Sequence, residues 1–502
     1  DKVHCVMMPS DYTSQASLDD ALALAENLNC QYDIIPIAPA LNGYNEILDT
    51  PTGVTAENLQ SRIRGMTLMA LSNQSGKMVL STGNKSEMAV GYATLYGDMC
   101  GGFSVLKDVY KITAFELSRE HEEFRRSVRE FAQAEIAPHA AQWDRDHHFP
   151  VDVVQKMGSL GLFGLTAPEE FGGAGEDGDF TSLCVAIEEI GRVDQSMGIT
   201  LQAGVGLGIN PILTYGTAAQ KEQWLPALVA GEELAGFGLT EPGAGSDAGA
   251  TRTRAELVGD EWVVNGAKQF ITNSGSSITS LVTVTARTGT REDGRPEISA
   301  IMVPSGTPGF TAEKAYDKLG WHASDTHPLS FEDCHVPADH LLGEQGRGYA
   351  QFLATLDDGR VAISALSVGC IQACLDMAVE YAGERQTFGG PIGRKQGVAF
   401  QIADLEVMLH ASRMLTYRAA ALKDAGAPYQ QFKQAAAVAK LYSTESAVTA
   451  TRIATQVFGG YGFMEEYPVA RFYRDAKVLE VGEGTSEVQR MLIARGLGLP
   501  VE

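Results

Sequence analysis

The residues best suited to chemistry lie near the C-terminus, in Val481-Gly482-Glu483-Gly484-Thr485-Ser486-Glu487-Val488-Gln489-Arg490. Glu483 stands between two glycines, which let the backbone turn sharply and let another molecule come close. A helix start follows at once. Thr485 is a candidate N-cap and Ser486 a second, with Glu487 and Gln489 in the first turn before the apolar Met491-Leu492-Ile493. A carboxylate held there is placed to act as a base aimed into a cleft. The same ten residues also read as a surface loop entering a helix, and alone they do not decide.

Other candidates are weaker. Thr240-Glu241-Pro242-Gly243-Ala244-Gly245-Ser246-Asp247-Ala248 passes for a dinucleotide fingerprint. However, the following Thr251-Arg252-Thr253-Arg254 reads as a strand, so no helix N-terminus is there to receive a pyrophosphate. His322, His327, His335 and His340 invite a metal reading, but no ligand spacing fits and no metal is expected. Seven cysteines are scattered along the chain, with only Cys370 and Cys374 close, at i,i+4. They read as buried small side chains in a reducing compartment.

These residues need elements to position them. Length (502 residues), 44% hydrophobic and 20% charged content imply several globular domains. The net charge of −24 argues against nucleic acid and anionic membranes as partners. No stretch reads as a membrane span, no signal peptide opens the chain, and a cytoplasmic location is expected. The absent initiator Met suggests a start inside a longer reading frame. Residues 1–111 alternate strand and helix. Residues 114–235 read as amphipathic helices, including Glu116–Glu135, Val151–Gly158, Phe180–Val193 and Ala218–Ala230. From 236 to 345 the period changes to two, with Asn265-Gly266 read as a hairpin turn between Glu261–Val264 and Gln269–Thr272. Residues 346–502 read as a helical bundle, with long helices over Gln351–Arg385, Gln396–Asp424 and Gln430–Phe458.

The first segment resembles NAD synthetase in the words PSDYTSQASLDDA, ENLQSRIRG, STGNKSEMAVGYATLYGD and VLKDVYK. The resemblance places Glu87 and Asp98 with Mg–ATP, and Arg62 and Lys111 with substrate or phosphate. The family's Ser-Gly-Gly-x-Asp-Ser pyrophosphate loop is not in this sequence, so the segment is expected to be a partial, inactive α/β fragment.

The remaining words are TEPGAGSD, Phe270-Ile271-Thr272-Asn273, Glu384-Arg385-Gln386-Thr387-Phe388-Gly389, Gln456-Val457-Phe458-Gly459-Gly460-Tyr461-Gly462, Tyr473-Arg474-Asp475-Ala476 and the Glu483 stretch. In this order and spacing, from about Phe115 to the C-terminus, the chain resembles the acyl-CoA dehydrogenases. The resemblance implies a multidomain fold: a helical N-terminal domain, a middle β domain and a C-terminal four-helix bundle, here preceded by the partial NAD synthetase-like segment. It implies an FAD enzyme, usually a homotetramer. Such an enzyme takes a proton from Cα of an acyl-CoA thioester and a hydride from Cβ, and passes electrons to an electron-transferring flavoprotein.

Glu483 matches the family's base. The isovaleryl type carries its base on another helix, where this chain has Gly359, which leaves Glu483. Implied flavin contacts are Phe237, Leu239, Thr240, Gly245, Ser246, Phe270 and Thr272. Arg385, Phe388 and Gln396 from one subunit, and Gln456, Gly459 and Gly460 from a neighbour, are implied for the ADP half, completed by Thr485 and Glu487. Ser246, Asp357, Arg360, Gly484 and Arg495 are implied on the substrate side, although Arg360 and Arg495 also fit salt bridges within the bundle. Gly482 departs from the Tyr of several relatives, and Asp357-Asp358-Gly359-Arg360 is closer to short-chain members. A short or short-branched acyl chain is expected. Alternatives are a bifunctional protein with residual ATP-dependent amidation, an acyl-CoA oxidase, or a scaffold without turnover.

Overall fold

The computed structural model describes residues 4–10, 13, 15–27, 30–49, 52, 54–76, 80–81, 103–104, 117–175 and 178–501. The chain divides into two compact units, Asp1–Glu116 and Leu117–Glu502.

In the first unit, β1 (His4–Met7) pairs in parallel with β2 (Gln31–Ile34) across α1 (Gln15–Asn27), as an α/β reading requires. Helix α2 (Ala38–Ile47) begins with a proline in its first turn, and α3 spans Val54–Ser75. Short strands β3 (Leu80–Ser81) and β4 (Phe103–Ser104) also pair in parallel. Among the described residues its core cluster is Ile37, Leu41 and Ile63, with Met8, Tyr44 and Leu59 against them. Arg62 is exposed on α3, whereas Glu87, Asp98 and Lys111 lie outside the described residues.

The second unit opens with α4 (Arg119–Phe131), capped by Ser118 and running into a π turn, Ala132–Ile136. Helices α5 (Ala140–Asp146), α6 (Val151–Ser159) and α7 (Phe180–Val193) follow. Asp179 caps α7 through Ser182 N–H, and Asp424 accepts the Phe180 and Thr181 N–H groups, so the bundle holds that helix start. Next comes a nearly unbroken helical run: α8 (Gln195–Gln202), a π turn (Ala203–Ile209) and α9 (Asn210–Tyr215). Helix α10 (Ala218–Val229) starts with a Thr217–Gln220 capping box.

The middle sheet has eight strands: β5 (Leu234–Gly238), β6 (Arg254–Val258), β7 (Glu261–Thr272), β8 (Thr279–Thr290), β9 (Pro296–Pro304), β10 (Phe310–Ala312), β11 (Thr326–Pro337) and β12 (Leu341–Leu342). Their order is β10-β11-β7-β6-β8-β9-β12, with β5 parallel to β8. The hairpin expected at Asn265-Gly266 is not there. Both residues lie inside the single strand β7, and the turn falls at Gly259-Asp260, where Gly259 has φ +67°. Asn265 is held by Asp333 of β11 (Oδ1 accepts Asp333 N–H at 2.8 Å). A Cβ on Gly266 would lie 2.6 Å from Thr253 Oγ1, so the glycine serves close approach between strands.

The C-terminal region contains α11 (Gly348–Glu384), a hairpin of β13 (Gln386–Thr387) and β14 (Gly390–Pro391), α12 (Gln396–Asp424), α13 (Tyr429–Phe458), α14 (Pro468–Ala476) and α15 (Ser486–Gly496). Helix α11 packs on α7, α12 and α13, and α13 packs on α15. One core cluster runs through this bundle and the N-terminal helices; a second lies within the β sheet. Contrary to the sequence reading, α11 is long and apolar enough to span a membrane; 83% of its most apolar window is buried inside the protein.

Candidate active site

The loop carrying Glu483 joins α14 to α15, and its shape follows from its caps. Thr485 accepts the Val488 N–H at 3.3 Å and starts α15, as its position in the sequence suggests. Glu483 is left-handed at φ 52° and Gly484 follows at φ 94°. For a glutamate this conformation is strained by about 1 kcal/mol or more, so neighbours must hold it. Two do. The Lys440 ammonium, on α13, donates to the Gly484 carbonyl at 2.8 Å, and the Gln489 amide donates to the same oxygen at 3.0 Å.

The twist turns the Glu483 side chain inward against Gly359 of α11. A Cβ at position 359 would lie 2.7 Å from the Glu483 carboxyl carbon. The carboxylate therefore occupies the space that a side chain there would need. Although the loop backbone is partly exposed, both carboxylate oxygens are buried and neither has a hydrogen-bond partner. Burial pushes the carboxyl up to about 7. The Gln202 amide pulls it down from close by without a well-formed hydrogen bond, the Lys440 and Arg360 cations pull it down further, and Asp358 pushes it up. Gln202, at the end of α8, also has no partner for either amide atom, and Arg360 Nε is another buried orphan. Orphaned polar atoms converging from α8, α11 and the loop mark a place prepared for a ligand.

Asp357 and Arg360 form a buried ion pair one helical turn apart on α11, and Tyr429 donates to Asp357 at 2.5 Å. Asp358 is tied to Lys423 at 2.9 Å and to Asn210 at 3.1 Å. Arg360 therefore joins the surroundings of Glu483 while remaining a bundle ion pair. Arg495 does not: it is exposed on α15 and donates to the Val501 carbonyl at 3.0 Å.

Phe237 and Leu239, at the end of β5, are buried, with Phe237 stacked on Phe352 at 3.8 Å between centroids. Thr240 is half-buried, and its carbonyl accepts Gln269 N–H at 2.8 Å. Gly245 and Ser246 lie in the exposed turn after it. That turn is anchored by the fully buried Lys268, paired with Glu241 at 2.8 Å. Phe270 is 62% exposed with φ +62°, beside half-buried Thr272. A large ring held at a strand end and left open to solvent is suited to covering a flat ligand.

Arg385 caps α11, and its guanidinium lies over the Tyr461 ring at 5.4 Å. Together with Gly459, Gly460 and Phe458 it lines a recess of about 600 Å³. Arg385 and the glycine pair thus meet within one chain. Phe388 is 87% exposed on the β13–β14 hairpin, and Gln396 and Gln456 are exposed at the ends of α12 and α13. Glu487 faces solvent in the first turn of α15. The histidines do not converge: His322 pairs with Asp144, His327 with Asp325 and His335 with Glu261, while His340 meets the Met302 carbonyl. Among the described residues no group of three or more metal-ligating side chains comes together.

Gln202 and Lys440 were not singled out in the sequence. Gln202 lies in the middle of the glycine-rich run QSMGITLQAGVGLG, and Lys440 interrupts the alanine-rich QAAAVAKLYS. The available signal was one polar residue on an otherwise apolar helix face.

Helices, a β sheet and a second set of helices surround this buried carboxylate. Residues 118–232, 236–334 and 346–498 match the N-terminal, middle and C-terminal domain models of acyl-CoA dehydrogenase, and residues 1–144 match NAD synthase. The chain is 48% identical to the probable acyl-CoA dehydrogenase YngJ of Bacillus subtilis, over 76% of this chain and 99% of that one. It is 44% identical to the mitochondrial short-chain specific acyl-CoA dehydrogenase of Mus musculus, over 78% and 92%. The solved butyryl-CoA dehydrogenase of Megasphaera elsdenii is 40% identical, with a TM-score of 0.73 over 76% and 99% of the two chains. The chain belongs to the acyl-CoA dehydrogenase family, an oxidoreductase family, with an NAD synthase-like segment in front.

Proposed function

We propose that the chain oxidises a short or short-branched acyl-CoA to its trans-2-enoyl-CoA with FAD, and that Glu483 takes the α-proton. One observation carries this reading: the buried Glu483 carboxylate has no partner on either oxygen and ionises near neutrality, at about 7. A thioester α-proton is weakly acidic, so its base must be both desolvated and able to ionise at working pH. Burial supplies the first condition, and the Gln202 amide, followed by the cations Lys440 and Arg360, the second. The left-handed twist at Glu483 and Gly484 holds the carboxylate pointing inward.

The residues present fit FAD. Support comes from the exposed Phe270 ring beside Thr272, the Thr240 turn, and the recess of Arg385, Gly459 and Gly460, where added side chains at the glycines would meet nothing within 4 Å. Phe237, Leu239, Gly245, Ser246, Phe388, Gln396, Gln456, Thr485 and Glu487 complete the proposed flavin set. When bound, FAD accepts the hydride that leaves Cβ as the Cα–H electrons form the double bond. Ser246, Asp357, Arg360 and Gly484 are proposed on the acyl-CoA side. Arg495 stays in that set only through the resemblance. A homotetramer, an electron-transferring flavoprotein as acceptor and a cytoplasmic location complete the reading, with domain limits of 114–235, 236–345 and 346–502. Exposed Phe388 and Phe463, each 87% accessible, are consistent with faces covered in an oligomer.

We also propose that residues 1–111, as given, do not form NAD by ATP-dependent amidation. Incubating flavin-loaded protein with butyryl-CoA and a dye acceptor should yield the unsaturated thioester. No product from any short or branched acyl-CoA would sink the assignment. Rapid dioxygen consumption in place of dye reduction would make it an oxidase, and deamido-NAD-dependent ATP cleavage would make it bifunctional.

A further inference from the structure

We propose that Lys440 is a positioning residue for the base: its buried ammonium fixes the Gly484 carbonyl and places a positive charge opposite the Glu483 carboxylate. The inference rests on the dehydrogenase reading of Glu483. Lys440 lies in the middle of α13 with none of its surface exposed, among Ala436, Ala437, Ser443 and Thr444. A lysine at such a position is not explained by solubility or by packing alone. Its one hydrogen bond goes to Gly484, the residue after the base, at 2.8 Å. Among the described residues no carboxylate lies within ion-pair distance of it; its ammonium bonds the Gly484 carbonyl instead. The loop it holds carries a glutamate at φ 52°, which needs external restraint.

The charge matters as well as the bond. The groups facing the Glu483 carboxylate are Gln202 from α8, Arg360 and Asp358 from α11, and Lys440 from α13. Arg360 is committed to Asp357, and Asp358 to Lys423 and Asn210. Lys440 is the cation in this set with no acid partner of its own. Burial lowers it to about 8, while Glu483, Glu480 and Glu445 favour its charged form and Arg360 opposes it. In its charged form its field favours the carboxylate. Gln489 holds the same carbonyl without charge, and so separates the two roles.

The test compares flavin-loaded wild type, K440M, K440R and Q489M. The readouts are the pH dependence of kcat/KM with butyryl-CoA and an infrared titration of the Glu483 carboxyl, assigned with E483Q. Wild type must turn over; if it does not, the dehydrogenase reading fails before Lys440 is at issue. With wild type active, K440M should move the acid limb and the infrared midpoint up by about one pH unit and lower kcat about tenfold or more, with little change in KM. K440R, which keeps the cation, should keep the midpoint, and Q489M should lower kcat without moving it. The infrared midpoint reads the carboxyl even in a variant too slow to assay. A K440M midpoint equal to that of wild type, or a K440R shift as large as that of K440M, overturns the proposal.

Discussion

As the proposed base, Glu483 meets two opposed demands, because the desolvation that would strengthen it also makes its charge costly to bury. Its folded-state value, about 7, lies above the ordinary 4.5. The native state therefore holds a proton that the unfolded chain releases first. This contribution to stability is fully present below about pH 4.5 and is lost as pH rises through about 7. E483Q, neutral at every pH, should thus be more stable than wild type at pH 8 by about 3 kcal/mol, with the gap closing towards pH 5. Denaturant titrations at the two pH values measure it, and equal stabilities at pH 8 would contradict the raised carboxyl. Gly359 makes a second case. G359A would push a methyl into the carboxylate, and should cut kcat by about a hundredfold while the fold and the flavin content survive.

The loop was legible because glycine, carboxylate and N-cap are all local signals. Gln202 and Lys440 were not, since only the packing of helices brings them to Glu483. A lone polar residue on an apolar helix has the same sequence pattern whether it faces a ligand or a backbone carbonyl.

At the scale of elements, the long helices of the bundle and α7 follow closely from apolar periodicity and caps, because those signals repeat over many turns. The run from Gln195 to Tyr215 escaped because Gly198, Gly204, Gly206, Gly208 and Pro211 all argue against a helix. Packing overrides that preference. A Cβ on Gly191 or on Gly198 would lie 2.5 Å from Leu366 Cδ1 of α11, so these glycines let the helices approach closely. G198A should therefore destabilise by about 2 kcal/mol, despite alanine's better helix propensity, as read from the denaturant midpoint. A more stable G198A would mean that Leu366 repacks freely. Asn265-Gly266 misled for the opposite reason. Its turn signal is local, but Asp333 of β11 holds Asn265 within the sheet and Thr253 lies close against Gly266.

For the whole molecule, the boundary between the two units falls at Glu116/Leu117. The family matches overlap over 118–144, and the structure resolves that overlap. Arg125 of α4 is buried between Glu188 and Glu189 of α7, at 2.8 and 2.9 Å, and donates to Tyr417 of α12 at 3.1 Å. The helix therefore belongs to the dehydrogenase unit. Residues 117–502 expressed alone should fold, bind flavin and show kcat within about twofold of the full chain, because Glu483 and every group facing it lie in this unit. An insoluble or flavin-free product would show that the first unit is needed for folding. The order of domains was legible because each has its own period, whereas the reason for the leading segment has no counterpart in any local pattern.

The central claim is that Glu483 takes the α-proton. Its most direct measurement is anaerobic bleaching of the bound flavin by butyryl-CoA, followed in a stopped-flow mixer for wild type and E483Q across the range around pH 7. Wild type should bleach faster as pH rises through about 7, and E483Q should be at least about a thousandfold slower with intact flavin binding. An E483Q protein that bleaches as fast as wild type would contradict it.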